Sequence, residues 1–562
     1  MLSKTSEVVV RRGGRTRREF LVQSGVVVAS VGIGGSLLEL LEACAGGGNQ
    51  GGPSPVKGGH IIEGRVGDPD TINPLLGGEG GFTGYLLFGA LLGFNADGSP
   101  TPIFAKSLPT VSSDGLTYTF ELRPDLKWTD GQPITSDDVL FTVNLQLQKQ
   151  NLIPSVYFPL LSQYLDSVTA PSPTRVVFKL KQVHVPFLVQ PPVTSPLIPN
   201  HVLANMNAKQ VADWFTSPTV VSGPFKMQKW DKGSQIVLVR NDAYGGPVKP
   251  NIATYVRKTM GNSAAITTQL QTSEIDVGDL ALGDVVAVNS SDVKVATFPK
   301  AVFLALNFNL RPDHAGGKIF GNKSVRQAML YGTDRQTIIK TAFFGYADVA
   351  KSYVPPTSPI YNPNTKPAYN FDPSQAASLL DAAGWKMGSN GTRTKDGQPL
   401  QFTILTYSGT AFYQATSELL QAQWKRIGAD VSIKAVSPAT ALPIYLQTHE
   451  YDVFLDVWGT DLQTPDLSFL VASKFVNLSN TANPGYSNPQ LDPLLDQAQN
   501  TPDLTKRKQI WAQIQDIMAE DAPSYALLWT KGVKGISARV KGAQFGRSEH
   551  LWEAEAWVTD GK

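Results

Sequence analysis

The chain has 562 residues, 42% of them hydrophobic and 17% charged, enough for a large buried core and, on length, for about three to four domains. Its formal net charge of +2 arises wholly within the first 43 residues, where Lys4, Arg11, Arg12, Arg15, Arg17 and Arg18 face Glu7, Glu19, Glu39 and Glu42. The remainder is neutral, with no basic stripe and no RNP, finger or basic-zipper pattern, which argues against a nucleic-acid partner.

The N-terminus reads as an export signal. Thr16-Arg17-Arg18-Glu19-Phe20-Leu21 resembles the twin-arginine motif, with Val22 at its final position. The stretch Val22 to Leu41 is apolar but broken by Gln23, Ser24, Ser30, Ser36 and Glu39, too weak for a membrane span and suited to a signal-peptide core. Cys44 is the sole cysteine, so the chain forms no internal disulfide and holds no Cys-rich metal site. Leu41-Glu42-Ala43-Cys44 resembles a lipobox, in which the thiol is acylated and the cysteine becomes the first residue of the mature protein, although Glu42 departs from the pattern. The Gly/Asn/Gln/Pro/Ser run that follows suits a flexible tether to a membrane. Ordinary signal-peptidase cleavage after Ala43-Cys44-Ala45, leaving no anchor, is the alternative. The expected division is a signal peptide over 1–43 and a tether over 44–58.

The rest alternates α and β. A strand is expected at His60 to Val66, followed by the Gly67-Asp68-Pro69 loop, and another where Tyr118, Phe120 and Leu122 alternate with polar neighbours. Thr135-Ser136-Asp137-Asp138 has the form of a capping box opening a helix through Val139, Val143 and Leu147. Phe225 to Trp230 and Gln235 to Arg240 flank a turn and predict a hairpin. Asp372 caps a helix with Pro373 at its first position and Gly384 beyond its end. Further helices are predicted at Ala411 to Ile427 and Leu504 to Glu520, with strands at Asp430 to Val436 and Asp452 to Trp458. Such alternation indicates layered α/β lobes rather than a bundle or a sandwich.

Several ordered blocks resemble the family 5 extracellular solute-binding proteins of ABC transporters, the dipeptide- and oligopeptide-binding group. They include Gly67-Asp68-Pro69-Asp70-Thr71-Ile72-Asn73-Pro74, Tyr118 to Arg123 with Trp128-Thr129-Asp130-Gly131, and Ser222-Gly223-Pro224-Phe225 with Arg240-Asn241. Val325-Arg326-Gln327-Ala328 with Thr333-Asp334-Arg335, Ala376 to Trp385, and Gly485-Tyr486-Ser487-Asn488 follow in family order. The resemblance runs from about Gly58 to the C-terminus. It implies an α/β, two-lobed periplasmic-binding-protein-like fold of type II, enlarged with a third domain, its mixed sheets flanked by helices. Domain I is then expected at 59–98, 219–312 and 532–562, domain II at 99–218 and domain III at 313–531. The implied role is an extracytoplasmic receptor, anchored to the cell membrane as a monomeric lipoprotein, that closes two lobes on a small ligand and delivers it to an ABC permease.

A ligand buried between lobes must have its charged ends met by opposite charges or fixed donors. Trp458 and Asp461 match the W-x-x-D block of the peptide-binding branch, whose carboxylate receives the peptide α-ammonium and whose Trp walls a side-chain pocket. A loop-capping Asp461 and a core Trp458 are the plainer alternative. Gly89 stands where many peptide binders carry glutamate, and is expected to widen the cleft floor or alter the ligand. Arg326 is expected to be structural. Nickel complexes, haem, opines and oligosaccharides are ligands of other family members. The six histidines, His60, His184, His201, His314, His449 and His550, are scattered surface or loop residues by expectation, so neither a metal nor another cofactor is called for. A secreted hydrolase is the rival class. However, the sequence lacks G-x-S-x-G, H-E-x-x-H and Walker patterns, and carboxylates such as Asp452 and Asp456 argue hydrolysis only if geometry joins them.

Overall fold

The structure, a computed structural model, describes residues 58–76, 78–95, 97–147, 152–153, 158–460, 464–478, 480–546 and 557–558, all within one compact unit. The export motif at Arg17 and Arg18, Cys44, almost all of the tether, His550 and Asp461 lie outside the described residues.

Among the described residues, eleven strands form one mixed sheet. In chain order they are β1 His60–Val66, β2 Phe225–Asp231, β3 Gln235–Arg240, β4 Thr254–Met260, β5 Val277–Asp279, β6 Val293–Phe308, β7 Ala347–Val349, β8 Gln401–Tyr407, β9 Asp430–Val436, β10 Val453–Gly459 and β11 Ser524–Ser537. Their spatial order is β9-β8-β10-β6-β11-β5-β1-β4-β3-β2, with β7 on the edge of β11. Helices used below are α1 Ser136–Gln146, α2 Arg335–Ala342, α3 Pro373–Ala382, α4 Ala411–Arg426, α5 Leu491–Asn500 and α6 Leu504–Asp521.

Local signals place these elements. Thr135 Oγ1 accepts the Asp137 N–H at 3.3 Å while Asp138 Oδ2 accepts the Thr135 N–H at 2.9 Å, the reciprocal bonds of a capping box at the start of α1. Asp372 Oδ1 accepts the Gln375 N–H at 2.9 Å, and Gly384 follows α3 at φ +90°, which a residue with a Cβ rarely adopts. A separate antiparallel sheet of Thr110–Val111, Thr117–Glu121, Arg175–Leu180 and Leu165–Ser172 carries the predicted Tyr118/Phe120 strand. Tyr118 and Phe120 point into its buried face.

The long strands β6 and β11 run side by side through the molecule, and their pairing breaks. Val293 to Pro299 pair with Ser537 to Lys531, next to β5; Phe303 to Asn307 pair with Trp529 to Ser524, next to β10. The register shifts between Pro299 and Phe303. Different cores lie on the two sides of that break. Met260, Ile266, Leu270, Val285 and Val533 form one, and Leu304, Leu306, Ile339, Trp424 and Leu455 belong to another.

Arg326 has the structural role expected of it. Its buried guanidinium donates to the carbonyls of Phe320 at 2.6 Å and Ala522 at 3.1 Å, and also to that of Asp521, tying its own helix to the end of α6. Burial pulls its pKa down to about 10, against the neighbouring Asp521. No helix of the described residues is long and apolar enough to cross a membrane.

Candidate functional site

The strands β9, β8 and β10 are parallel neighbours. In open parallel sheets the loops beyond the carboxyl ends of strands are where ligands are met. Here those ends are Tyr407, Val436 and Gly459. Since β10 runs antiparallel to β6, with Val302 opposite Gly459 and Phe308 opposite Val453, all three ends point toward the break in the long strands. Beyond β10, the Thr460 N–H donates to the Ala301 carbonyl at 2.8 Å, within the break. Beyond β8, Gly409 turns at φ +83° into α4, whose cap residue Thr410 makes no side-chain capping bond.

Trp458 lies on this rim. It is half-buried, opposite Phe303 in the ladder, with ring centroids 5.6 Å from Phe469 and 5.9 Å from Tyr445. Its indole Nε1 and the Thr460 Oγ1, two residues further on, are buried without a hydrogen-bond partner. Buried polar atoms in folded proteins nearly always have partners. Two such atoms lie at this strand end, just before the segment holding Asp461.

Asp456 sits one turn of the pleat below Trp458. It is 4% exposed, accepts its neighbouring Val457 N–H at 2.7 Å and the Tyr413 hydroxyl at 3.3 Å, and is also bonded by Tyr407. Burial pushes its carboxyl up to about 7, against the pull of those donors. A carboxyl raised in the fold contributes stability in its protonated form, fully present below the unfolded value and lost as pH rises to about 7. Asp456→Asn is therefore expected to gain on the wild type in melting temperature between pH 5 and pH 8. Parallel pH curves for the two proteins would refute this account of Asp456.

Asp452 and Asp456 do not converge. Asp452 accepts the Thr403 N–H at 2.8 Å at the far end of the strand, roughly 13 Å along the chain from Asp456 at the usual rise per residue. Among the described residues no group of three or more His, Cys, Asp or Glu side chains is placed to hold a metal ion. His184 and His449 are in connecting segments but buried, and burial lowers both to about 4.

The expectation for Gly89 needs correction. A Cβ there would overlap the ring of Phe104, the Gly89 N–H donates to Ser222 Oγ at 3.1 Å, and its carbonyl accepts the Leu197 N–H at 2.8 Å. Phe104, itself fully buried, fills the space. No widened floor results; the glycine is required by packing.

Facing the β10 rim is the segment that leads from the separate four-stranded sheet. His184 stacks on Tyr164 with centroids 4.1 Å apart and feels the charge of Asp466, and the 3-10 turn Val185–Val189 packs against α5. Sequence reasoning could not have paired these segments, which lie about three hundred residues apart.

Comparison with known proteins finds relatives over most of the chain. The oligopeptide-binding protein AppA of Bacillus subtilis is 26% identical over 515 residues, 90% of this chain and 92% of that protein. The solved structure of the ABC transporter-associated periplasmic binding protein DppA from Helicobacter pylori, in complex with peptide STSA, superposes with a TM-score of 0.73 at 25% identity, covering 90% of this chain and 98% of that one. NikZ from Campylobacter jejuni, in complex with Ni(L-His), does so with a TM-score of 0.75 at 25% identity, over 89% and 99%. The family model for the middle region of bacterial extracellular solute-binding proteins, family 5, matches residues 99–477, and the chain belongs to that family.

Proposed function

We propose that this protein is the receptor of an ABC importer, capturing a short peptide between two closing lobes and presenting it to the permease. The observation that carries the reading is the β10 rim, where Trp458 Nε1 and Thr460 Oγ1 are buried and unpartnered next to the segment holding Asp461. The relatives named for peptides, AppA and DppA, support the ligand class. One lobe consists of 59–98, 219–312 and 532–562, with 99–218 enlarging it; the other is 313–531. β6 and β11 cross between them. A ligand that touches both lobes only when they are closed shifts the open–closed balance by its differential affinity, and closure is the signal the permease reads. Trp458 walls a side-chain pocket and Asp461 receives the α-ammonium.

Arg17 and Arg18 direct export, and Cys44, acylated, anchors the mature chain to the outer face of the cell membrane. Native mass spectrometry of protein purified from membranes reads ligand and anchor together. The expected masses are short peptides on the protein and a chain beginning at acylated Cys44, with precursor accumulating when Arg17 and Arg18 are both changed to Lys. A bound nickel complex, opine or sugar would replace the peptide reading. An unacylated chain would end the anchor.

The nickel-ligand neighbour NikZ gives a second reading, in which the same cleft takes a chelated metal. The peptide reading is preferred because Trp458 and Asp461 keep the spacing of the peptide-binding branch.

A further inference from the structure

The edge of β11 opposite the β10 rim carries an apolar groove. β5 covers β11 at Lys534 to Ile536 and β7 covers it at Leu528 to Thr530, leaving a gap at the level of the break between Pro299 and Phe303. In that gap the Lys531 N–H donates to Tyr346 and the Leu280 N–H to Val533. Over it lies a groove of about 340 Å³. One wall, Leu282 and Val286, lies on the chain between β5 and β6; the other, Ile339 and Phe344, lies on α2 and just beyond its end, with Ile339 in the Leu304/Leu306 core and Leu282 packed against both that core and the Met260/Ile266/Val533 core.

The walls expose what most proteins bury. Val286 is 87% exposed and Phe344 is 56% exposed. Phe344 is also held at φ 51°, a conformation unfavourable for an aromatic residue. At one point the walls stand about one side chain apart, since a Cβ added at Gly283 would lie 3.4 Å from the Phe344 ring. On the β6 side, the Val185–Val189 turn packs against α5, joining segments that the two-lobed reading assigns to opposite lobes.

We propose that this groove is the counterweight to the ligand cleft: bending β6 and β11 to open the cleft closes the groove, burying Val286 and Leu282 against Phe344 and Ile339. The geometry requires the coupling, because the cleft rim and the groove lie on opposite edges of one two-stranded connection at the same level. The walls are each other's occupants. Their burial stabilises the open, ligand-free form, and a ligand closes the lobes only by outweighing it. The inference rests on the two-lobed reading above, but not on the nature of the ligand.

Small-angle X-ray scattering of the unliganded full chain tests it. Val286→Trp wedges the groove apart and Phe344→Ser removes apolar area from one wall. Both are expected to shift the population about tenfold or more toward the compact form, seen as a smaller radius of gyration than the wild type. Leu504→Trp, at another exposed apolar position, is expected to leave the radius unchanged. One radius shared by the wild type and both groove variants overturns the proposal, as does equal compaction by Leu504→Trp. Because both groove residues are largely solvent-exposed, failure to fold is not expected; if Val286→Trp does fail, Phe344→Ser alone decides. Since no ligand is added, a native mass spectrum without peptide would defeat the peptide reading and leave this result standing.

Discussion

Lys534→Met is expected to lower the unfolding free energy by about 3–5 kcal/mol, the usual cost of removing one partner from a buried ion pair. Lys534 on β11 and Glu63 on β1 are both fully buried, 3.0 Å apart, and separated by 471 residues in sequence. Arg65 approaches the other Glu63 oxygen at 3.2 Å, where the Tyr255 hydroxyl also donates. Asp279 is 3.2 Å from Lys534, but its side chain is 49% exposed and its share is screened by water. Burial alone would raise the Glu63 carboxyl, yet Arg65 and Lys534 together bring it down from 4.5 to about 2.

A carboxyl lowered in the fold contributes stability that is fully present above its unfolded pKa and lost as pH falls through the folded one. The wild type should therefore lose this contribution between about pH 4.5 and pH 2. Without Lys534 the folded carboxyl rises toward its unfolded value, and the part of the stability lost on acidification shrinks. Removing both charges, Glu63→Gln with Lys534→Met, is expected to cost less than the sum of the single changes, because neither leaves the other unpaired. Denaturant titrations at pH 7 and pH 3 measure all of this. A Lys534→Met protein within about 1 kcal/mol of the wild type would show that the network carries no more than a surface pair does.

That network shows where sequence reading stops. Elements whose signals are local were legible: the Thr135 box, the Asp372-Pro373 start and Gly384 end of α3, and the strands His60–Val66 and Asp430–Val436. The strand at β10 starts one residue later than expected because Asp452 turns its carboxylate to the Thr403 N–H. Features made by contact between distant segments left no local trace. Lys534 and Glu63 are each a single charge in a β-pattern; only the adjacency of β5, β1 and β11 joins them. Gly89 looked like a missing side chain, and the Phe104 ring that replaces it is fifteen residues away. Asp456 seemed one of two ordinary carboxylates until Tyr407 and Tyr413 were brought over it from β8 and α4. The groove beside Phe344 depends on a break in strand pairing, a property of two strands at once.

Asp461→Asn is expected to weaken binding of a peptide with a free α-ammonium by on the order of 2–5 kcal/mol, the effect of truncating one partner of a buried charge pair. The residue follows Thr460, whose N–H is fixed to Ala301, and comes three positions after Trp458, whose indole N–H is buried and unpartnered. A peptide ammonium brought into a closed cleft loses its hydration, and a carboxylate beside it compensates only if it is charged. The Asn variant keeps size and removes charge, so an affinity change reports the charge. N-acetylated peptide brings no cation, and its affinity for the two proteins should be the same. Calorimetry with the free and acetylated forms of one peptide found by native mass spectrometry separates the cases. Equal loss for both forms would mean that Asp461 shapes the loop rather than meeting the ammonium. Equal binding of the free peptide by wild type and variant would remove Asp461 from the site and leave the buried donors of Trp458 and Thr460 as the groups from which recognition must be built.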